Sequence, residues 1–342
     1  MGRREERAAK AAAQRQADAG RAGLLLTLGA VAAVATITVA VLARGRIPVP
    51  GLAILGAVGG WLLLTVLAFV AFGSAGRNEA FAPEGEFELH TWIDLPGTLD
   101  INKAVLYLVL SAILTCASMV YVANRMQARP NRVQTAVETL YGLMRDNITR
   151  GSMDDRMAAK WFPFIGALFL FIWFNNLIGF IPLPTSHHTF TVLGLEIPAF
   201  ALYAATANVS VPLVLALIVF VSYTTEGIRA HGPLGYLKSL IPAGVTGFMA
   251  AFIFVLEVMS NLMRILSLSV RLFANMLAGH MIILFMSGGL AVILGLAGIG
   301  VFLLPIGLAL YLFEVGLVAT LQAFIFATLS AIYLGGAVAE HH

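Results

Sequence analysis

The chain has 342 residues, of which 59% are apolar and only 11% are charged, and its formal net charge is +3. Soluble domains carry about 25% charged residues, so most of this surface cannot face water. The basic residues form clusters between apolar runs, a pattern typical of membrane orientation and not of nucleic-acid binding. Cys116 is the single cysteine, and the sequence has no G-x-x-x-x-G-K-[ST] phosphate loop. We therefore predict no disulfide framework, no metal, no cofactor and no nucleic-acid partner, with any nucleotide chemistry placed on another subunit.

Apolar runs of about 20 residues recur along the chain, and each can cross about 30 Å of hydrocarbon. The short alternating segments of a β-barrel are not seen. The predicted fold class is therefore all-α, a polytopic membrane protein. In chain order we expect a basic N-terminal tail (1–21), two extra membrane spans within 22–73 (23–43 and 51–73), a polar connector (74–100), and a membrane domain (101–342) with spans 103–123, 161–181 and 199–225, a helix near 134–148, and a terminal hairpin (248–336).

The loops predict the topology, because basic loops face the cytoplasm. Residues 124–160 are rich in arginine and are placed inside, whereas 74–100 and 182–198 are placed outside. Counting forward leaves the C-terminus inside. Counting backward puts the basic N-terminal tail outside, against the same rule, and the apolar run after Gly23 is too long for an ordinary signal peptide.

The terminal hairpin begins with about 40 residues, from 248 to about 287, that contain no proline and no helix stop. Such a helix is about 60 Å long, twice the hydrocarbon thickness, so it must be strongly tilted. A glycine cluster over 288–300 predicts the turn, and 301–333 returns with a kink near Pro305.

Polar residues on the hairpin follow helical spacing. Glu257, Arg264 and Arg271 are seven residues apart, and Asn275 follows four later, so all four lie on one face. An arginine in mid-membrane costs at least about 2.5–3.5 kcal/mol and needs a partner or a water-filled cavity. A guanidinium keeps its proton, so Arg271 cannot relay protons, but it can lower the pKa of a carboxylate brought near it.

An antiparallel hairpin centred near residue 297 places Arg271 opposite Gln322, and His280 opposite Glu314. Histidine and glutamate can relay protons when hydrated. Other interpretations stay open at this point. Arginines at helix ends snorkel to headgroups, which also fits Arg264, and the polar residues of the hairpin could simply satisfy helix contacts or form a structural pair.

The run Ser267–His280 (SLSVRLFANMLAGH) resembles the signature of subunit a of F-type ATP synthases, as does LQAFIF at 321–326. The similarity extends back through FIP at 180–182 and ANVS at 207–210, and covers roughly 100–342. The resemblance implies a proton-translocating stator subunit in a bacterial inner membrane. Its expected partners are a ring of c subunits, the b subunit of the peripheral stalk, the remainder of the complex, and membrane lipid.

The resemblance also implies residue roles. Two half-channels lead protons to and from a carboxylate on each c subunit, and Arg271 separates them. Asn275 and Gln322 match its polar neighbours, and Asn208 matches the region of the fifth span where the family places polar groups of the entry channel. His280 matches a relay position whose partner is expected seven residues before the glutamine, whereas Glu314 stands eight before it.

Two other function classes fit the composition. A secondary transporter could use an intramembrane arginine, although such proteins usually show two similar halves, and no repeat is visible here. A purely structural scaffold is the second alternative, but such a protein would gain nothing from the free energy that it costs to place Arg271 in the membrane. The ion, proton or sodium, depends largely on the c subunit, and the His280–Glu314 pair favours protons.

Overall fold

A computed structural model describes residues 50–72, 89, 91–93, 101–127, 130–184, 189–192, 195–198, 202–241, 245–294 and 297–338. The predicted tail 1–21 and the predicted first span 23–43 lie outside this range, as does most of the connector 74–100. The described helices are α1 (Pro50–Phe72), α2 (Lys103–Arg125), α3 (Arg132–Gly142), α4 (Asp155–Gly179), α5 (Ser210–His231), α6 (Pro233–Ser239), α7 (Phe248–Leu284), α8 (Ala297–Phe313) and α9 (Ala319–Val338).

Shorter elements link these helices. Three of the described segments are π-helical, Leu143–Thr149, Phe285–Gly289 and Glu314–Val318, and short helical turns cover Arg150–Ser152, Ala205–Ala207 and Leu290–Leu294. Two small antiparallel ribbons pair β1 (Thr91–Ile93) with β2 (Ile101–Asn102), and β3 (Thr189–Val192) with β4 (Leu195–Pro198). The predicted all-α class is confirmed.

Five described segments are long and apolar enough to cross a membrane, namely α2, α4, α5, α7 and the return segment Gly298–Val338. A shorter apolar stretch, Gly56–Val70, lies within α1. The chain is therefore a multi-pass membrane protein. Hydrocarbon offers no water to a backbone N–H or C=O, so each span must bond its own backbone, and helices are the result.

The helix ends follow the polar residues. The Asn102 side chain accepts a hydrogen bond from the Val105 N–H and caps α2. The Asn131 side chain accepts one from the Gln134 N–H and caps α3. The prediction that the fifth span starts at 199 is wrong, because α5 begins at Ser210 and ends at His231. Asn208 explains the late start. Its side-chain oxygen accepts a hydrogen bond from the Ser210 N–H, and this local bond keeps the preceding backbone out of the helix.

The terminal hairpin has the predicted long first helix, but the described glycines of the predicted turn are helical. Helical structure continues past α7 through Gly288 and Gly289 to Leu294, and Gly298 and Gly300 lie inside α8. Glycine is a poor helix former in water, whereas in hydrocarbon the alternative is an unpaired backbone. The glycines therefore remain helical.

The described residues fall into two compact units, one made of α1 with the described part of 281–311, and the other made of the described residues between 89 and 280 together with 312–338. In the first unit, α1 contacts the start of α8 through Trp61. In the second unit, α9 packs on α4 and α5, and α2 packs on α4. Five of the eight buried residues of α9 are small, namely Ala319, Ala323, Ala327, Ser330 and Ala331. Small side chains let membrane helices approach closely.

Candidate functional site

Arg271 lies on the exposed face of α7, while its neighbours Leu272 and Met276 are buried. Its Nη2 donates to the Ser267 hydroxyl at 3.2 Å. Within the described part of the chain, no carboxylate comes within ion-pair distance of this guanidinium. The positive charge is therefore presented outward, toward whatever covers this helix face.

The residues around Arg271 on the same face are small or polar. Ala274, Asn275 and Ala278 are exposed, as is Ser267. They follow the three- and four-residue spacing of one helical stripe. A neighbouring helix could therefore approach the α7 backbone closely on this side.

Two contacts fix the register of α7 against the return segment. The Arg264 guanidinium lies 5.4 Å from the centre of the Tyr333 ring, and Gly279 lies directly against the Glu314 carboxylate. The helices are thus antiparallel, and Arg271 and Gln322 lie at the same level between these contacts. Gln322 is buried whereas Arg271 is exposed, so the predicted pair shares a level while the two side chains meet different surroundings.

His280 is fully buried at the junction of α7 and the end of α4. Its Nδ1 faces the Met276 carbonyl oxygen at 2.9 Å, and its Nε2 faces that of Gly179 at 3.1 Å. The ring stacks on Phe180 with 4.5 Å between centres. A neutral imidazole has one N–H, so both bonds form together only in the doubly protonated ring.

Glu314 is half-buried and begins the π-helical segment Glu314–Val318. Its carboxylate occupies the space that a side chain at Gly279 would need, which places it beside the residue that precedes His280. The Oε2 atom is buried and finds no hydrogen-bond partner in the described residues. A π-helical turn widens a helix and is frequent at functional sites.

Glu257 and Arg264 form a separate cluster nearer the start of α7. Arg264 Nη2 lies 3.5 Å from Glu257 Oε1, and its Nη1 lies 3.4 Å from Asn261 Oδ1. The Tyr223 hydroxyl of α5 donates to the same Asn261 oxygen at 3.4 Å. Arg264 is therefore linked to Tyr223 of α5 through Asn261, and it contacts Tyr333 of α9 directly, whereas Arg271 faces outward.

Asn208 is half-buried, and its side-chain oxygen accepts the Ser210 N–H at 3.0 Å, at the start of α5. The short turn Ala205–Ala207, just before Asn208, is hydrogen-bonded to α4: the Thr206 hydroxyl donates to Asn176 Oδ1 at 2.8 Å. The Asn176 amide in turn donates to the Ala319 carbonyl oxygen at 3.3 Å. Asn208 thus belongs to the segment that ties α4 to the return helix.

Sequence reasoning missed several buried polar residues here. Asn175 is fully buried, and neither amide atom has a partner among the described residues. Lys103 is 1% exposed, with its ammonium 4.8 Å from the Tyr203 ring centre. Burial, together with Tyr107, raises the pKa of the Tyr203 hydroxyl, which stays protonated. The Asn175–Asn176 doublet inside an apolar run was the available signal, since polar groups are costly there.

The chain resembles known proteins over most of its length. The ATP synthase A chain family matches residues 105–335. A protein named ATP synthase subunit a from a Nocardioides species is 34% identical, over 78% of this chain and 96% of that protein. The proteins of the same name from Paramagnetospirillum magneticum and Pelagibacter ubique are 33% and 36% identical, over 76% and 72% of this chain and 99% and 92% of their own length.

Proposed function

This chain belongs to the ATP synthase A chain family, and from that premise we propose how its residues move protons. It is the proton-translocating stator subunit of an F-type ATP synthase, embedded in a membrane, with the rest of the complex as its partner. It is a proton-channel subunit and not the catalytic one. Family membership also removes the secondary transporter and the structural scaffold as alternatives.

Arg271 is the barrier between two proton half-channels. The observation that carries this proposal is the outward-facing guanidinium, which has no ion-pair partner in the described chain. Its partner is a carboxylate on a c subunit passing along the exposed face of α7. The fixed positive charge stabilises the ionised carboxylate and so drives off its proton. It also repels protons that would leak directly between the channels.

The outer half-channel runs through His280 and Glu314. By the predicted topology the turn of the hairpin is outside, so this pair lies on the outer side of Arg271. His280 can hold two protons between its carbonyl partners and pass one on, and Glu314 supplies the nearby base. Asn208 orders the outer end of this route, and histidine chemistry favours the proton over sodium.

The inner half-channel lies on the other side of Arg271, near Glu257 and Arg264. The Glu257 carboxylate, 3.5 Å from the Arg264 guanidinium, receives released protons. Asn275 and Gln322 are polar neighbours that hydrate the region around Arg271. The released proton therefore leaves toward the basic loops placed inside.

The remaining assignments follow the same proposal. The hairpin 248–336 of the membrane domain 101–342 faces the c ring, and the b subunit of the peripheral stalk holds the chain against rotation. The tail 1–21, the extra spans of 22–73 and the connector 74–100 are additions to this domain. The complex lies in a bacterial inner membrane, and nucleotides bind to other subunits.

The test is Arg271→Ala, measured by ATP-driven proton pumping in membrane vesicles. Loss of a charge aimed at the reacting group should lower pumping at least about 100-fold, while the complex still assembles. Arg150→Ala is the matched control. Arg150 is an exposed arginine that pairs with Asp146 and Asp155, and it is far from Arg271 in the sequence. Coupled pumping retained in Arg271→Ala would overturn the proposed role.

A further inference from the structure

Pro305 creates a defect inside α8. Proline has no backbone N–H, so the carbonyl oxygen of the residue four before it, Val301, loses its helical donor. In water such an oxygen would bind solvent. In a hydrocarbon environment it needs another donor, because an unpaired carbonyl there is strongly unfavourable.

Trp61 of α1 supplies a donor to this oxygen. The indole Nε1–H donates to the Val301 carbonyl oxygen at 2.8 Å. The same indole stacks on Phe302, with ring centres 5.1 Å apart and planes inclined by 20°. One side chain therefore satisfies the carbonyl and covers the ring next to it.

A second contact holds the same two helices together. Gly298 is buried, and the Phe69 ring occupies the space that a side chain at 298 would need. Thr65, which lies between Trp61 and Phe69 in the sequence, donates its hydroxyl to the Trp61 carbonyl oxygen of the same helix. Later residues of α1 thus meet earlier residues of α8, so the two helices pack in an antiparallel sense.

We infer that α1 is an intramolecular brace for the return helix, with Trp61 as the positioning residue that supplies the donor Pro305 lacks. The family match begins at residue 105, so this brace lies outside the matched region. α8, which this brace holds, is followed in the chain by the Glu314–Val318 segment. The inference does not depend on the role proposed for Arg271.

The experiment is a mutant cycle between Trp61 and Pro305 in the assembled complex. Trp61→Phe removes the N–H and keeps a ring to stack on Phe302. The readout is the half-life of ATP-driven proton pumping at raised temperature. Loss of one buried hydrogen bond should shorten it about fivefold. Pro305→Ala restores the backbone N–H that pairs with Val301, so Trp61→Phe should then change the half-life less than about twofold.

Trp173→Phe is the matched control, because its indole also donates one bond, to the Thr320 hydroxyl at 3.0 Å, with no proline involved. Its effect should be the same with Pro305 or Ala at that position. Pro305→Gly restores the same N–H on a flexible backbone and carries the test if the alanine variant does not assemble. An equal effect of Trp61→Phe in all backgrounds, or no effect beside Pro305, would overturn the inference.

Discussion

Arg271 and His280 lie nine residues apart on one helix, yet their surroundings are opposite. Arg271 faces outward beside Ser267, whereas His280 is enclosed by the Met276 and Gly179 carbonyl oxygens. An exposed charge can meet a group from another subunit. An enclosed imidazole exchanges protons only along prepared contacts. The difference in burial is what the proposed roles require, a barrier at Arg271 and a relay at His280.

Gly279 gives a residue-scale prediction. A methyl group at 279 would overlap the Glu314 carboxylate, which is the mobile end of a flexible side chain and can swing away. Gly279→Ala should therefore assemble normally but lower ATP-driven proton pumping about tenfold, the scale of a modest packing conflict. Gly316→Ala is the control, since nothing lies near that position. Normal pumping in Gly279→Ala would argue against a working position for the carboxylate beside α7.

The site illustrates what residue spacing can and cannot predict. Seven-residue steps placed Glu257, Arg264 and Arg271 on one stripe, and helix geometry alone suffices for that. Spacing did not reveal that Arg264 is held by Asn261 and Tyr333 while Arg271 faces outward. Those differences depend on neighbouring helices, which a period along one helix does not contain.

At the scale of elements, close backbone contacts and ion pairs hold one end of the helix bundle, where α4 begins and α5 and α9 end. Glu226 near the end of α5 pairs with Lys160 near the start of α4 and with Arg229. The end of α9 meets the turn Arg150–Ser152, where Gly335 lies against the Ser152 carbonyl oxygen. These contacts join α4, α5 and α9 into one bundle.

Gly335 carries the corresponding prediction. A side chain there would overlap a backbone carbonyl, which cannot swing away as a long side chain can. Gly335→Ala should destabilise the subunit by about 1–3 kcal/mol, seen as a lower melting temperature of the purified complex. Gly336→Ala should leave that temperature unchanged, because Gly336 has open space around it. Equal melting temperatures for the two variants would show that the close approach is not needed.

Helix positions were predictable to different degrees. Hydropathy located α2, α4 and α7 because the bilayer dictates their length and apolar content. It misplaced the start of α5, since the described residues 202–209 are mostly apolar but not α-helical, and the polar signal near the boundary is Asn208, whose Oδ1 accepts the Ser210 N–H. The π-helical segments were also missed, because residue preferences scarcely distinguish them from α-helix.

At the scale of the whole molecule, the exposed face of α7 is the proposed contact with the c ring. After Cys116, which is exposed, is replaced by serine, Ala274→Cys and Ala278→Cys should each crosslink to cysteines placed on a c subunit. Ala323→Cys is the control, because Ala323 is buried on α9 and should not react. Crosslinking is read as a band of summed mass on a denaturing gel. Absence of crosslinks from both exposed positions would contradict a ring-facing α7.

The Trp61 contact has a consequence for exchanging parts between related proteins. A chimera that transplants only residues 105–335 carries Pro305 but leaves its aromatic donor behind. Unless the recipient offers an N–H at the same place, the Val301 carbonyl oxygen will be stranded in lipid. A chimera should therefore include α1 together with residues 105–335, with the junction placed before residue 50.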